Sequence, residues 1–534
     1  MDNIADIFII IGTIFFIVIV ITVFGLGLFH TLFDRKQKKH SILRNYPVLG
    51  RARYFLEKIG PELRQYWFNS DTEGKPFSRN EYEHIVKNAK YKRDVVSFGS
   101  KRDYEKEGYY VRNDMFPKLS EELKIDKNVI TLTNRYLLLK DPLFTQRIEK
   151  IEENKSLAYL LRDEDAVVIG EGLKYPFVTK GLIGMSGMSY GSLGQNAITA
   201  LSKGLALAKG TWMNTGEGGL SPYHLAGGVD IIMQIGPALF GVRDEKGELS
   251  IDELKKKAAI PQVKAFELKL GQGAKTRGGH IDAEKVNPEV AEIRGVPPYQ
   301  SIDSPNRFHQ FNDIPGMFDF IDTIRNATGK PVGIKIVVGG VDSVVPLAKF
   351  MKETGRGPDF ISVDGGEGGT GASYQELIDS VGLPIKSALP ILHCTLKKYG
   401  VRDRVKIIAS GKLFTPDRIA VALAMGADLV QIARGFMITV GCIQVLKCNA
   451  NICPVGVATT DPKLQKALVV DEKKHRVANY LITLRSGLFR ISASAGLESP
   501  VQFEPKHIMY KDDRGVVYSL EQIMKEMEDN IQIV

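Results

Sequence analysis

Cysteine is scarce: four residues in 534 cannot build a disulfide framework for a chain this long, so a reducing compartment is expected. Uncharged apolar runs are scarce as well; the one long run is residues 7–29. Beyond the N-terminal region no basic face with interleaved aromatics is found. The net charge of +9, much of it near the N-terminus, therefore carries no nucleic-acid reading. Also missing is a single G-x-G-x-x-G fingerprint beside a first strand, which argues against an open doubly wound nucleotide fold. No dinucleotide-binding site is read in the chain, so any electrons it used would be expected from a ferredoxin, a quinone or a separate NAD(P)H reductase subunit. Apolar residues are plentiful at 44%, enough for a large core, and the length implies more than one compact unit.

Three of the four cysteines fall together. Cys442, Cys448 and Cys453 lie in GCIQVLKCNANICPVGVATTDP, spaced C-x5-C-x4-C. A dithiol redox pair wants C-x-x-C, and structural zinc wants four ligands in shorter steps. Three thiolates at longer gaps suit an iron–sulfur cluster, whose irons lie apart, and three ligands suggest [3Fe–4S]. Two alternatives stay open: three buried free thiols, or recruitment of Cys394 into a four-ligand [4Fe–4S] or zinc site.

At 1.5 Å per residue the run 7–29 makes a helix of about 34 Å, enough to cross a hydrocarbon core of about 30 Å. Asp2 and Asp6 stand ahead of it where a signal peptide is basic, and no small-x-small cleavage site follows. Arg35, Lys36, Lys38 and Lys39 come directly after. The positive-inside bias then predicts a single-pass membrane protein with a cytoplasmic catalytic domain. Residues 1–34 are expected as a transmembrane anchor and 35–93 as a basic, helical juxtamembrane segment. In that segment RYFLEKIGPELRQYWF reads as an amphipathic helix near the membrane surface or as a plain surface helix packed on the next domain. The second reading is preferred. Residues 94–178, with β-rich runs such as VITLTNRYLLL, are expected to wrap the catalytic domain.

After Pro176 come eight strand-and-turn units. They are GLIGMSGMSYGS (181–192), TWMNTGEGG (211–219), VDIIMQIGP (229–237), AFELKLGQGAK (265–275), PVGIKIVVGG (331–340), DFISVDGGEGGTG (359–371), VKIIASGK (405–412) and ADLVQIARGF (427–436). Glycines cap nearly every strand instead of one. That predicts an α/β fold, a closed parallel (β/α)8 TIM barrel, with its site at the C-terminal mouth. The turns after strands seven and eight are the usual phosphate site of such a barrel. There Ser410, Gly411 and Lys412, with Arg434 and Gly435, offer backbone N–H groups and positive charge. Gly365, Gly366, Gly368, Gly369 and Gly371 after strand six let the main chain approach a ligand. Gln234 and Lys335 stand at strand ends within reach of a flat heterocycle's polar edge, and Ser189 in the first turn joins them. A lysine beside the pyrimidine end of a flavin favours its anionic reduced form. Together these residues predict flavin mononucleotide (FMN) within reach of the cluster.

MSYGSLG, NTGEGG, LGQGAK, VDGGEGGTGAS and the cysteine run together resemble the FMN-binding synthase domain of glutamate synthases, over roughly residues 94–500. The chain is most similar to the short, stand-alone FMN-binding glutamate synthase family proteins. The resemblance implies FMN on the barrel and [3Fe–4S] on Cys442, Cys448 and Cys453. It also implies 2-oxoglutarate at Lys275 of GQGAK and Arg294 of EIRGVP, where an arginine fork and a lysine suit a dicarboxylate. The implied reaction is reductive amination: ammonia and 2-oxoglutarate give a 2-imine that reduced FMN converts to glutamate. Glu217 of NTGEGG is an acid–base or orienting candidate.

The chain also departs from the family pattern. It opens Met1-Asp2-Asn3 where the large enzymes open with a glutamine-hydrolysing cysteine, so ammonia is expected from a separate subunit. The large enzymes' glycine-repeat domain is not found, and residues 501–534 are expected as a short tail. The substrate loop reads GAKTRGGHID where the family reads GAKPGEGGQLP, altering Arg277 and His280, and SPNRFHQ (304–310) replaces a Pro-Pro-His-His stretch. The substrate is therefore open. Two other readings are the FMN subunit of an N-methylglutamate synthase-like complex and an electron-transfer subunit with no substrate of its own. The intact Lys275–Arg294 pair argues against the latter.

Overall fold

The computed structural model describes residues 2–92, 95–96, 98–138, 149–276 and 278–532. Arg277 of the altered loop and the expected boundary at 93/94 lie outside the described residues. The chain divides into two compact units, Met1–Glu83 and His84–Val534.

The second unit holds the barrel. Its strands are Ile183–Met185, Trp212–Asn214, Asp230–Ile235, Val263–Lys269, Val332–Ile336, Phe360–Asp364, Lys406–Ser410 and Leu429–Ile432. All pair in parallel in chain order, and the eighth closes on the first with Val430 opposite Ile183. Nearly every strand position is buried, as expected for strands covered by helices outside and packed side chains inside. Large and small residues alternate across the interior. A Cβ on Gly184 would stand 2.1 Å from the Trp212 indole, and one on Gly333 2.5 Å from the Phe360 ring. Seven of the eight strands fall within the glycine-ended units read from the sequence, and the fourth begins two residues ahead of its unit, at Val263.

The wrapping segment supplies an antiparallel hairpin, Ile130–Leu138 with Glu149–Leu157, and the strand Gly108–Val111. Residues 501–534, expected only as a tail, give that strand its partner Ile508–Lys511, a third strand Val517–Ser519 and the helix Leu520–Asn530. The long helix Val470–Ser494 packs on helix Gln195–Ala208. Its Arg485, 3% exposed, donates to the carbonyls of Ala158, Ala208, Lys209 and Gly210 at 2.8–3.3 Å. These four bonds to charge stand in for water around a buried guanidinium and tie the helix to the lead-in of the second strand.

In the first unit, helix Asp2–Lys36 is long and apolar enough to cross a membrane, and its side chains from Ile7 to Phe33 are almost all exposed. The short helix Ser41–Asn45, the helix Leu49–Leu63 and a π-helical turn Arg64–Phe68 follow.

Candidate active site

Side chains alternate along a strand, and several strands turn polar ones into the barrel. Glu267 on the fourth strand is fully buried. Its carboxylate accepts from Asn214 Nδ2 (2.8 Å), Gln234 Nε2 (2.6 Å) and Ser362 Oγ (2.5 Å), which arrive from the second, third and sixth strands. Lys335 of the fifth strand pairs with Asp364 Oδ2 at 3.1 Å and donates to Ser186 Oγ at 3.3 Å. Burial disfavours its ammonium, but Asp364 and Glu267 outweigh that and hold its pKa above the usual lysine value. Gln234 and Lys335, both expected at the heterocycle's edge, thus share Glu267, the first through a hydrogen bond and the second through its charge.

A second group of charges gathers around the turn after the second strand. Glu217 Oε1 takes a hydrogen bond from Lys269 Nζ at 2.8 Å and another from Lys275 Nζ. The three side chains are 13%, 6% and 7% exposed. Burial alone would raise the Glu217 pKa; the two ammonium groups overcome it and hold the carboxyl well below the usual carboxylate range. Burial lowers Lys269 to about 8 against the opposing pull of Glu217.

Arg294 ends helix Pro288–Arg294, which Asn287 caps through Val290 N–H and Gly295 stops in the left-handed conformation. Its guanidinium is 1% exposed, lies 5.3 Å over the Phe240 ring and donates to the Tyr190 carbonyl at 3.1 Å. Burial lowers its pKa to about 10, and the charge of Glu217 works the other way. A Cβ on Gly218 would meet this side chain at 2.8 Å, and one on Gly218 would also meet Ser189 Cβ at 2.8 Å. So Lys275, Arg294, Glu217 and Ser189 come together, and Lys269 joins them.

The remaining expected residues form a neighbouring cluster. Arg434 donates to the carbonyl of Glu367, linking the eighth-strand turn to the sixth. Gly369 lies under that arginine, where a Cβ would stand 2.8 Å from Nη1. Gly365 N–H bonds to Ser410 O at 2.8 Å, and a Cβ on Gly366 would meet Gly382 O at 2.5 Å. Gly411 lies beside the Glu367 carboxyl, and the Lys412 carbonyl accepts from Arg418. Glu367 itself caps helix Ile385–Lys398, accepting from Ile385 N–H at 3.0 Å. Gly435 has a packing reason of its own: a Cβ there would stand 2.9 Å from the Tyr480 hydroxyl. Gln272 Nε2 reaches Gly369 O at 3.3 Å and so joins this cluster to the Lys275 loop.

Several buried polar atoms of the barrel lack a protein partner: both amide atoms of Gln431, Asp364 Oδ1 and Arg294 Nε. Gln431 is in register with inward-facing Gly184. Unpaired buried amides and carboxylates cost stability, so these atoms fit a polar heterocycle seated at the mouth. The glycine turns would carry its phosphate.

The cysteine loop curls through three non-glycine residues in the left-handed conformation, Gln444, Leu446 and Asn451. Cys453 is buried and the other two thiols are half-buried. Burial raises Cys442 to about 11 and pushes Cys448 up; Cys448 and Cys453 add to the first shift and Cys453 to the second. Among the described residues no three His, Cys, Asp or Glu side chains are drawn in tightly enough for a single ion. The three cysteines offer an all-sulfur donor set, the kind an iron–sulfur cluster takes. Cys394 lies apart, its thiol 3.6 Å from Met524 O on the C-terminal helix and its pKa raised to about 12 by burial. A Cβ on Gly371 would sit 3.1 Å from Cys448 Cβ, so the sixth-strand turn touches the cysteine loop. Lys285 seals the contact: its ammonium, 4% exposed, donates to Cys448 O at 2.5 Å.

Sequence reasoning had passed over Glu267, Lys269, Glu367, Gln431 and Lys285. For two of them a signal existed. In AFELKLG, Glu267 and Lys269 stand two apart in an otherwise apolar strand, which puts both on one face.

Residues 122–498 match the family model described as a conserved region in glutamate synthase. Over 494 residues the chain is 58% identical to the glutamate synthase large subunit-like protein YerD of Bacillus subtilis, covering 92% of this chain and 94% of that one. It is 37% identical over 298 residues to the archaeal-type glutamate synthase (NADPH) of Thermotoga neapolitana, 55% of each chain. Likeness to solved structures is weaker. A mutant flavocytochrome b2 with pyruvate bound covers 85% of each chain at 11% identity and a TM-score of 0.41.

Proposed function

The chain belongs to the glutamate synthase family, and from that premise we propose that it reductively aminates 2-oxoglutarate to glutamate with ammonia. In this reading it carries FMN at the barrel mouth and [3Fe–4S] on Cys442, Cys448 and Cys453, and helix Asp2–Lys36 anchors it in a membrane. Bound FMN would supply the hydride that reduces the 2-imino acid. The turns of Ser410, Gly411, Lys412, Arg434 and Gly435 would hold its phosphate, with Gln234, Lys335 and Gln431 facing its ring.

The rest of the chemistry falls to the chain's own side chains. Lys275 and Arg294 fix the two carboxylates of a five-carbon oxo acid. Glu217 stays ionised across the physiological range, so it orients the lysines and does not donate a proton. Lys269, near pKa 8, gives its proton to the hydroxyl that leaves as water when ammonia's adduct dehydrates to the imine.

The observation that supports this reading most is the charge count around Glu217. Lys269, Lys275 and Arg294 surround it; Glu217 neutralises one of them, and a dicarboxylate would neutralise the other two. The test is stopped-flow reoxidation of anaerobically reduced protein by 2-oxoglutarate with ammonium, and separately with methylamine, products identified by mass. Glutamate from ammonium is the expected result. Reoxidation with methylamine alone would favour an N-methylglutamate synthase-like role, and reoxidation by neither sinks both.

A further inference from the structure

At the end of the spanning helix the chain makes a locked corner. Asp34, fully buried, accepts from Arg51 Nε (2.9 Å), Arg51 Nη2 (2.5 Å) and the Val48 backbone N–H (3.0 Å). Gln37 fastens the turn, donating to the carbonyls of Asp34 (3.0 Å) and His40 (2.7 Å) and accepting from His40 N–H (2.8 Å). Helix Leu49–Leu63 and its continuation Arg64–Phe68 are therefore tied to the spanning helix and do not hang on a loose tether.

Along this second helix, apolar residues recur at i, i+3, i+7, i+10, i+14 and i+18: Leu49, Ala52, Leu56, Ile59, Leu63 and Trp67. That spacing draws one stripe, and Arg51, Arg53, Lys58 and Arg64 fall off it. The sequence favoured burying the stripe against the next domain. Within the first unit much of the stripe is left uncovered: Leu49, Leu56 and Trp67 are 78%, 57% and 79% exposed, and Phe55, Tyr66 and Phe68 beside them are exposed too.

We propose that residues 46–68 lie flat on the bilayer as a second membrane contact, the stripe sunk at the headgroup–acyl boundary of a leaflet rich in anionic lipid. The inference rests on the anchor reading of helix Asp2–Lys36. Lipid is favoured over a second copy of the chain by charge and by continuity. Arg35, Lys36, Lys38, Lys39, Arg44, Arg53 and Lys58 crowd the corner, a basic flank that attracts acidic headgroups and would repel its own copy. The aromatic end at Tyr66, Trp67 and Phe68 has the amphipathic rings that settle at a membrane–water boundary. The Asp34–Arg51 lock holds the stripe next to the point where the span ends.

The chain provides its own probe. It has two tryptophans, and Trp212 is fully buried in the barrel, so bilayer contact is read from Trp67. In vesicles of the full-length protein containing anionic lipid and shallowly brominated phospholipid, Trp67 emission should be quenched by the lipid and shielded from acrylamide. Trp67→Phe should remove the lipid quenching and leave the Trp212 signal. Leu49→Glu with Leu56→Glu should restore acrylamide access while the protein stays in the membrane. A Trp67 open to acrylamide and unquenched by brominated lipid, or covered only by cross-linking to another copy, overturns the proposal. Release of the wild-type chain by alkaline carbonate would overturn the anchor reading instead, so the two failures are distinct.

Discussion

Changing Glu217 to Gln keeps the shape of the side chain and removes its charge, leaving Lys269, Lys275 and Arg294 together without a counter-ion. Removing one partner of a buried pair costs about 3–5 kcal/mol, and this carboxylate serves two nearly buried lysines at once. Unfolding entropy runs at about 2.1 cal/mol/K per residue, so a unit of roughly 450 residues carries about 0.95 kcal/mol/K and should melt roughly 3–5 °C lower. The loss has a pH signature. The folded pKa of Glu217 is depressed, so its contribution is complete above the ordinary value of 4.5 and fades as pH falls below it. The gap between wild type and variant should thus be full at pH 7 and narrow only in acid. 2-Oxoglutarate should also raise the variant's midpoint more than the wild type's, because its carboxylates replace the missing charge. Thermal melts with and without the acid, at pH 7 and pH 4, decide the matter. An unchanged midpoint would show that Glu217 does not neutralise the lysines. A lowered midpoint that 2-oxoglutarate fails to restore would show that the lysines do not face the acid.

The barrel was legible because parallel strands announce themselves locally. A short β-branched run ending in glycine needs no knowledge of its neighbours, and all eight such runs became strands. The cysteine spacing is local in the same way, whereas Lys275 and Arg294 stood out only through the family resemblance. What stayed hidden depends on partners distant in sequence. Glu267 is a hub only because Asn214, Gln234 and Ser362 arrive from three other strands. Lys285 has no signal in its own stretch, because the carbonyl it meets lies more than a hundred residues away. Ser189 was grouped with the flavin residues, yet its turn packs at Gly218 beside Arg294. The stripe from Leu49 to Trp67 shows why periodicity stops short: it reveals which residues share a face and is silent on what covers that face.

The other expectations test the separate parts of the site. Arg294→Ala removes a buried charged partner worth about 2–5 kcal/mol, so the apparent KM for 2-oxoglutarate should rise roughly 30- to 5000-fold, with flavin reduction by an artificial donor unchanged; an unchanged KM would remove Arg294 from the acid's site. Since burial holds Lys269 near pKa 8, kcat/KM for 2-oxoglutarate should fall above about pH 8 as its ammonium is lost. In Lys269→Arg, which stays charged, that alkaline limb should vanish from KM, and its persistence would mean that another group titrates. Protein purified without oxygen should carry FMN and about three irons per chain. Cys448→Ser should lose the iron and keep the FMN, because the phosphate turns lie on other strands, and zinc in place of iron would sink the cluster. Lys285→Gln should also shed iron while keeping FMN. Its ammonium both pins the Cys448 carbonyl and sets a buried positive charge beside the Cys448 and Cys453 thiols, which must ionise to bind metal, whereas glutamine can replace only the hydrogen bond. Lys285→Arg keeps the charge and should keep the iron. Full iron in the glutamine variant would show that the lysine is a strut for the loop and contributes nothing to the cluster through its charge.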